Sequence, residues 1–261
     1  MNMQLELALS TLLIPLALSF LVQRLTLKNQ SFMILGVLMT WLVSYLWIAG
    51  TPSFLPKEAV EWSVYLGGVL TITSFIVKSI KSQALLFSTL SILGVILIAW
   101  PVISHAPTIQ LFAELTFFAL FAIIIAFRMK DSSKASPALS IAVSNGGLAI
   151  VAGLGGSLLI GQLAGALASA LGAFAIYELF KKLEQTQMNY STRLLGALLS
   201  LLMLVVARIY AELPLVSMAL LALSLTLGLI TKWRYASGLG LAAVIISITY
   251  LLLTTDESSY Y

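Results

Sequence analysis

Residues 194–230 read LLGALLSLLMLVVARIYAELPLVSMALLALSLTLGLI, a run that is apolar almost throughout. A bilayer core about 30 Å thick is crossed by about 20 helical residues, so one helix of this length would be far too long. Pro214 disfavours a continuous helix because its ring removes a backbone hydrogen bond and restricts the residue before it. The run therefore predicts two membrane-spanning helices that meet in a tight hairpin at Leu213-Pro214.

Cations flank this hairpin at both of its ends. Lys181, Lys182 and Arg193 precede it, and Lys232 and Arg234 follow it. Short cytoplasmic loops of membrane proteins retain Lys and Arg. We therefore expect both flanks of the hairpin on the cytoplasmic side of a membrane and its turn on the outer side.

The rest of the chain has the same character. Of its 261 residues 60% are hydrophobic and 9% are charged, whereas soluble domains carry roughly 25% charged residues. We therefore predict an all-α fold, a polytopic transmembrane helical bundle of about ten spans that forms a single integral membrane domain over residues 1–261. The predicted spans are 4–23, 31–50, 59–77, 84–103, 111–127, 137–154, 157–179, 194–213, 214–230 and 237–255.

Most cations fall on every second gap between these spans, and Lys57 and Arg208 are the two exceptions. An even number of spans with both termini on the outer side satisfies the positive-inside bias at each loop, and losing one span would invert half of the pattern. We expect a multi-pass protein of a bacterial cytoplasmic (inner) membrane. The cations of the predicted inner side are Arg24, Lys28, Lys78, Lys81, Arg128, Lys130, Lys134, Lys181, Lys182, Arg193, Lys232 and Arg234.

The outer segment 51–58 contains two prolines and a hydrophobic turn. We expect this turn to be ordered and to lie on the outer membrane interface. Pro56 is predicted to open the third helix, with Glu58 and Glu61 in its first turns, because proline suits the first position of a helix and acids suit its dipole.

Several function classes are disfavoured by what the chain lacks. It contains no Cys and a single His, His105, which excludes thiolate metal sites and bis-His haem within this chain and makes a Ser–His–acid triad improbable. The glycines of 238–240 mimic a dinucleotide fingerprint, but they open a membrane helix and not a βαβ unit. We therefore expect no catalytic residues, no metal, no cofactor and no enzymatic activity. The dispersed cations also argue against nucleic acid, and the lipid bilayer is the expected partner.

Ionisable residues within the spans are candidates for a function, because burying a charge in a bilayer is costly. Glu114 lies one turn into the fifth span, where burial would favour its neutral form and make it a candidate proton carrier. A position one turn deep can still reach the lipid headgroups, so a solvated or cation-paired Glu114 is the interpretation that we favour. Arg208 and Glu212 are four residues apart and are predicted to pair along the eighth helix, although they could instead face Glu114 across an outer vestibule. Together with Asn145, these three residues are the predicted substrate-binding or ion-binding residues.

The sixth span contains Ser144-Asn145-Gly146-Gly147 at mid-depth. Broken helices near the membrane midplane form binding sites in many transporters, because exposed peptide dipoles coordinate ions. Asn145 could cap such a half-helix. We favour the other interpretation, a slightly bent helix in which Asn145 bonds to a neighbour.

The seventh span carries a ridge of small residues at spacings of four: Gly161, Gly165, Ser169 and Ala173. Small residues at this spacing let helix backbones approach each other closely. We expect the ridge to pack within the chain, with a subunit interface as the alternative.

Two function classes remain in front. A small secondary transporter or permease is favoured, because ten spans could divide into inverted halves, 1–134 and 135–261. The alternative is a non-catalytic accessory or scaffolding subunit that associates with other membrane subunits or with copies of itself. A lipid-modifying enzyme is less favoured because the chain offers no paired acids and no metal ligands.

Overall fold

A computed structural model describes residues 9–26, 32–129, 137–180, 188–230 and 233–257. Helix α1 consists of a π-helical turn, Leu9–Leu13, that continues as the α-helix Ile14–Thr26. Nine further helices follow it within the described residues: α2 (Met33–Ile48), α3 (Glu61–Ile76), α4 (Ile80–His105), α5 (Ile109–Arg128), α6 (Pro137–Leu154), α7 (Leu158–Phe180), α8 (Tyr190–Tyr210), α9 (Leu215–Ile230) and α10 (Trp233–Glu257).

The predicted all-helical fold of about ten helices is confirmed for this part of the chain. Helices α4 to α8 are long and apolar enough to cross a membrane, and α1, α2, α9 and α10 contain shorter apolar segments. These helices are compatible with a polytopic membrane protein. The number of crossings and the outer placement of both termini stay predictions.

Helix α8 lies at the centre of the bundle. Its residues 192–207 are all buried, which is typical of a helix enclosed on every side. Seven helices contact it and form a closed ring in the order α2, α3, α4, α5, α9, α6 and α7. Helix α1 packs outside this ring against α2 and α7, and α10 packs outside it against α6 and α9.

Glycines on the surrounding helices let the leucines of α8 approach closely. A Cβ atom at Gly94 of α4 would lie 2.6 Å from Leu202 Cδ2 and 2.7 Å from Leu66 Cδ1. A Cβ atom at Gly67 of α3 would lie 3.3 Å from Leu199 Cδ2. The missing side chains leave space that branched leucine side chains occupy, which gives the dense contact on which membrane bundles depend.

The predicted hairpin at Leu213-Pro214 is present, and a short turn separates the predicted spans 137–154 and 157–179. Helices α6 and α7 are joined by residues 155–157, where Gly156 has a φ of +86° that favours glycine. Helices α8 and α9 are joined by residues 211–214, at the predicted Leu213-Pro214 junction.

The predicted start of the third helix is wrong. Helix α3 begins at Glu61, and Pro56 lies in the irregular segment before it. The physical reason is a competing set of hydrogen bonds. The Glu61 carboxylate accepts the backbone N–H groups of Ser53, Lys57 and Glu58 at 2.7, 2.6 and 3.2 Å, which holds these residues in a turn.

Two contacts show which helix termini share one end of the bundle. Tyr190 at the start of α8 donates its hydroxyl to the Ala126 carbonyl near the end of α5, at 2.9 Å. Ser191 donates to Gln83 Oε1 at the start of α4, at 3.0 Å. We call this the cation end, because Lys78, Lys81, Arg128 and Arg193 lie at or beside the termini of α4, α5 and α8 that meet here. Other predicted inner cations lie outside the described residues: Lys28, Lys130, Lys134, Lys181, Lys182 and Lys232.

Candidate functional site

Glu114 and Arg208 form an ion pair at the opposite end of the bundle. Arg208 in the last turn of α8 donates Nε–H to Glu114 Oε2 at 2.8 Å and Nη2–H to Glu114 Oε1 at 2.6 Å. This two-point geometry is the strong form of a guanidinium–carboxylate contact. The Glu114 side chain is 7% exposed and that of Arg208 is 18% exposed. The pair therefore connects α5 to α8 across 94 residues of sequence.

Local structure positions both partners. Helix α5 begins after Thr108, whose side chain accepts the Leu111 N–H at 3.1 Å and caps the helix. Glu114 then lies one turn inside, and Gln110 Nε2 donates to its Oε1 at 2.8 Å. Arg208 Nη1 donates to the Leu213 carbonyl at 2.9 Å, which ties the α8–α9 turn to the same site. Glu114 is thus cation-paired, the alternative to a lone acid that the sequence left open.

The predicted pairing of Arg208 with Glu212 along one helix face is wrong. Helix α8 ends at Tyr210, and Glu212 lies beyond it with a left-handed φ of +51°. The four-residue spacing no longer places two side chains on adjacent turns, since that geometry requires a continuous helix. Arg208 turns to Glu114 instead.

An open cavity of about 440 Å³ surrounds this pair. Glu114, Arg208 and Glu212 all line it, so two carboxylates and one guanidinium share one space. The structure therefore brings the three residues together around one cavity, the arrangement that the sequence offered as an alternative. The other lining residues are Val102, Ala106, Thr108, Gln110, Leu111 and Ile209.

Asn145 lies elsewhere in the bundle. Helix α6 continues without interruption through it, so the backbone is not broken at this point. Asn145 Nδ2 donates to the Ile141 carbonyl at 2.7 Å and to Ser200 Oγ of α8 at 2.6 Å. Its buried Oδ1 has no partner among the described residues. The neighbouring Ser144 donates to the Leu221 carbonyl of α9 at 2.8 Å. These contacts join α6 to the central helix and to α9, and they make Asn145 part of the packing.

The small-residue ridge of α7 faces other helices of the same chain. A Cβ atom at Gly161 would lie 3.0 Å from the Ala149 carbonyl oxygen of α6. At Gly165 it would lie 3.7 Å from Ala149 Cβ and 3.8 Å from Thr11 Cβ. Ser169 donates to the Thr11 carbonyl of α1 at 3.2 Å. Ala173, the last member of the ridge, is fully buried. The ridge thus seats α7 against α6 and α1.

The sequence did not single out Glu61 as a buried acid. It is 4% exposed and is satisfied by the three backbone N–H groups described above. Tyr65, one turn further along α3, donates its hydroxyl to the Ser53 carbonyl. A carboxylate in the first turn of a helix is common at a surface, so the sequence contains no signal of this burial. The hydroxyl and the carboxylate together hold segment 51–58, from which Phe54 projects with 94% exposure.

Comparison with known proteins finds no matching family model, no similar curated protein and no similar solved structure. Among the residues that the structure describes, no cluster of three or more His, Asp or Glu side chains could hold a metal ion.

Proposed function

We propose that this protein is a small secondary transporter or permease that receives a polar small molecule in the cavity around Glu114 and Arg208. The observation that carries the proposal is the presence of a carboxylate–guanidinium pair and a further carboxylate in one open cavity. Ionisable residues inside apolar helices are costly and are usually retained for function. A volume of about 440 Å³ lies within the range of small-molecule sites.

The charges of the cavity favour a class of ligand. Two carboxylates against one guanidinium make the cavity negative overall. Arg208 uses three of its five N–H groups in the contacts described, which leaves two donors for a ligand. A small molecule with both a cationic group and a hydrogen-bond acceptor, such as a zwitterion, suits this combination.

The ion pair also offers a way to couple binding to movement. Glu114 belongs to α5 and Arg208 to α8, so a ligand that competes for either partner would loosen the contact between these helices. Movement of one helix group against another around a fixed site is how many secondary transporters expose that site to each side in turn. The protein would close this cavity and open a second path toward the cation end.

A counterflow assay tests the proposal. Purified protein in vesicles would be preloaded with each of a panel of amines and amino acids, and exchange of the labelled compound would be measured. We expect the wild type to exchange at least one compound and Glu114→Gln to reduce that exchange at least tenfold. The matched control is Glu58→Gln, an exposed acid of the outer segment that does not line this cavity.

A charge-swapped variant separates loss of function from loss of fold. Glu114→Arg combined with Arg208→Glu keeps an ion pair between α5 and α8 but reverses its direction. We expect a thermal stability above that of either single substitution, although the donor to the Leu213 carbonyl is lost, together with strongly reduced exchange. The proposal fails if a stable Glu114→Gln variant leaves every measured flux unchanged.

The second candidate function is an accessory or scaffolding subunit of a membrane complex. The enclosure of α8 supports it, because a central helix buried over residues 192–207 makes the bundle rigid. The surrounding helices expose apolar side chains that other membrane subunits could contact. Purification in mild detergent distinguishes the two functions. Stoichiometric partners together with absent exchange would favour the subunit, whereas a solitary exchanging protein would favour the permease.

A further inference from the structure

A second cavity lies between α4 and α5 at the cation end. Its volume is about 590 Å³. It is a groove that opens between exposed apolar side chains, of which Leu85 is 70% and Phe127 is 68% exposed. Tyr190 of α8 also lines it, and its hydroxyl bond to the Ala126 carbonyl fixes the wall at which the three helices meet. The remaining lining residues are Ile80, Lys81, Ala84, Ser88, Thr89, Ile92 and Ile123.

The hydroxyl groups that line the groove are already satisfied by backbone carbonyls. Ser88 Oγ donates to the Ala84 carbonyl at 2.9 Å and Thr89 Oγ1 donates to the Leu85 carbonyl at 3.0 Å. Tyr190 is engaged as described. The walls therefore present mainly methyl and methylene groups, which suit an aliphatic chain better than a polar metabolite.

The length of the groove matches one leaflet of a bilayer. On α4 the lining residues extend from Ile80 to Ile92, which is about 18 Å at 1.5 Å per residue. Half of a hydrocarbon core about 30 Å thick is about 15 Å. The groove thus begins at the cation end and finishes near the depth at which an acyl chain of that leaflet would end.

The charge at the mouth of the groove selects the headgroup. Lys81 is the charged residue that lines it, and it is exposed and makes no ion pair with another described residue. Lys78 lies three residues before Lys81, in the connection that precedes α4, and Arg128 directly follows Phe127 of the groove wall; both are exposed. Basic groups between membrane helices on the cytoplasmic side are typical of sites for anionic lipid headgroups.

We infer that the groove between α4 and α5 binds one anionic glycerophospholipid, with an acyl chain along Ala84, Ser88 and Ile92 and the phosphate at Lys81. This site is separate from the cavity of Glu114 and Arg208, and it does not depend on the function proposed above.

Native mass spectrometry of the full chain in mild detergent tests the inference. Dioleoyl phosphatidylglycerol and dioleoyl phosphatidylcholine would be added separately at equal concentration. We expect the wild type to retain one phosphatidylglycerol and less phosphatidylcholine. Lys81→Gln should lower phosphatidylglycerol retention about fivefold, the effect of one lysine near an anionic headgroup, and should leave phosphatidylcholine retention unchanged.

Two further variants complete the test. Lys57→Gln, a lysine in the segment between α2 and α3 that does not line the groove, is the matched control and should behave as wild type. Ser88→Phe fills the groove and should lower retention of both lipids; Leu85→Trp at its rim serves the same purpose if Ser88→Phe does not fold. Equal retention of the two lipids by the wild type would overturn the inference. So would wild-type retention in Lys81→Gln or in a folded groove-filling variant.

Discussion

Individual buried charges set the clearest expectations for this protein. Glu114 is less exposed than its partner Arg208, 7% against 18% of the side chain. Removing one member of a buried pair leaves the other charge without compensation, and that remaining charge dominates the cost. Substitution of Glu114 and substitution of Arg208 should therefore lower the free energy of unfolding by different amounts.

We predict that Arg208→Gln destabilises the protein more than Glu114→Gln does. Arg208→Gln leaves the more deeply buried carboxylate of Glu114 without its cation, and it also removes the donor to the Leu213 carbonyl. We expect a loss of about 3 kcal/mol for Arg208→Gln and about 1–2 kcal/mol for Glu114→Gln. Reversible unfolding in mixed micelles measures both values.

The double variant provides the internal control for this pair. Glu114→Gln with Arg208→Gln leaves no unpaired charge, so its loss should be smaller than the sum of the two single losses by at least about 1 kcal/mol. Strict additivity would show that the contact between Glu114 and Arg208 contributes no coupling.

Glu61 carries a second prediction. Its carboxylate accepts three backbone N–H groups, whereas a glutamine would offer one acceptor oxygen and place an NH₂ group against donors. We expect Glu61→Gln to increase amide exchange at Ser53, Lys57 and Glu58 at least tenfold, measured by hydrogen–deuterium exchange. Glu58→Gln is the control, because the contact described for Glu58 is made by its backbone. Unchanged exchange in Glu61→Gln would mean that the carboxylate does not hold this segment.

Among the helices, the α6–α7 hairpin shows how close contact depends on position. A Cβ atom at Gly161 would lie 3.0 Å from a backbone carbonyl oxygen of α6. A Cβ atom at Gly146 would meet nothing within 4 Å. Both residues lie inside helices of the same hairpin. They form a matched pair that separates packing from helix propensity.

We predict that Gly161→Leu destabilises the protein by about 2–3 kcal/mol or more, because a backbone carbonyl cannot yield to the added side chain. Gly146→Leu should be neutral or stabilising by up to about 1 kcal/mol, since leucine is the better helix former. Unfolding in micelles or a thermal shift measures the difference. If the two substitutions changed the free energy of unfolding equally, close contact between α7 and α6 at Gly161 would be contradicted.

The helices themselves were largely predictable. The hairpin at Leu213-Pro214 and the break between spans 137–154 and 157–179 are predictable because proline and glycine act on the local backbone. The start of α3 was missed because Glu61 recruits N–H groups up to eight residues earlier in the chain, and a pattern of local propensity contains no record of such a bond.

For the molecule as a whole, the two ends of the bundle make the orientation testable. Lys81 belongs to the cation end, whereas Lys57 borders a cavity shared with Ser157 and Tyr210 at the opposite end. The chain contains no cysteine, so single-cysteine variants can be labelled without further changes. Such labelling tests whether α3 crosses the membrane, because α3 is the helix that connects the two positions.

We predict that Lys57→Cys reacts with an impermeant maleimide in intact cells and that Lys81→Cys reacts after permeabilisation. The reason is the retention of cations on the cytoplasmic side. Reaction of both variants in the same compartment would contradict the predicted orientation. The inverted relation between halves 1–134 and 135–261 stays a prediction.

The residues alone determine the helices of the described part of the chain and the breaks between them at Gly155-Gly156 and Leu213-Pro214, because these depend on neighbours along the chain. The position of α8 at the centre, the meeting of Glu114 with Arg208 across 94 residues, and the groove between α4 and α5 became visible in the folded chain. The physical reason is that lipid tails and packed side chains are equally apolar. A membrane helix therefore shows little hydrophobic contrast between its buried and exposed faces, and its partners are selected by shape and by the few polar groups that must be satisfied.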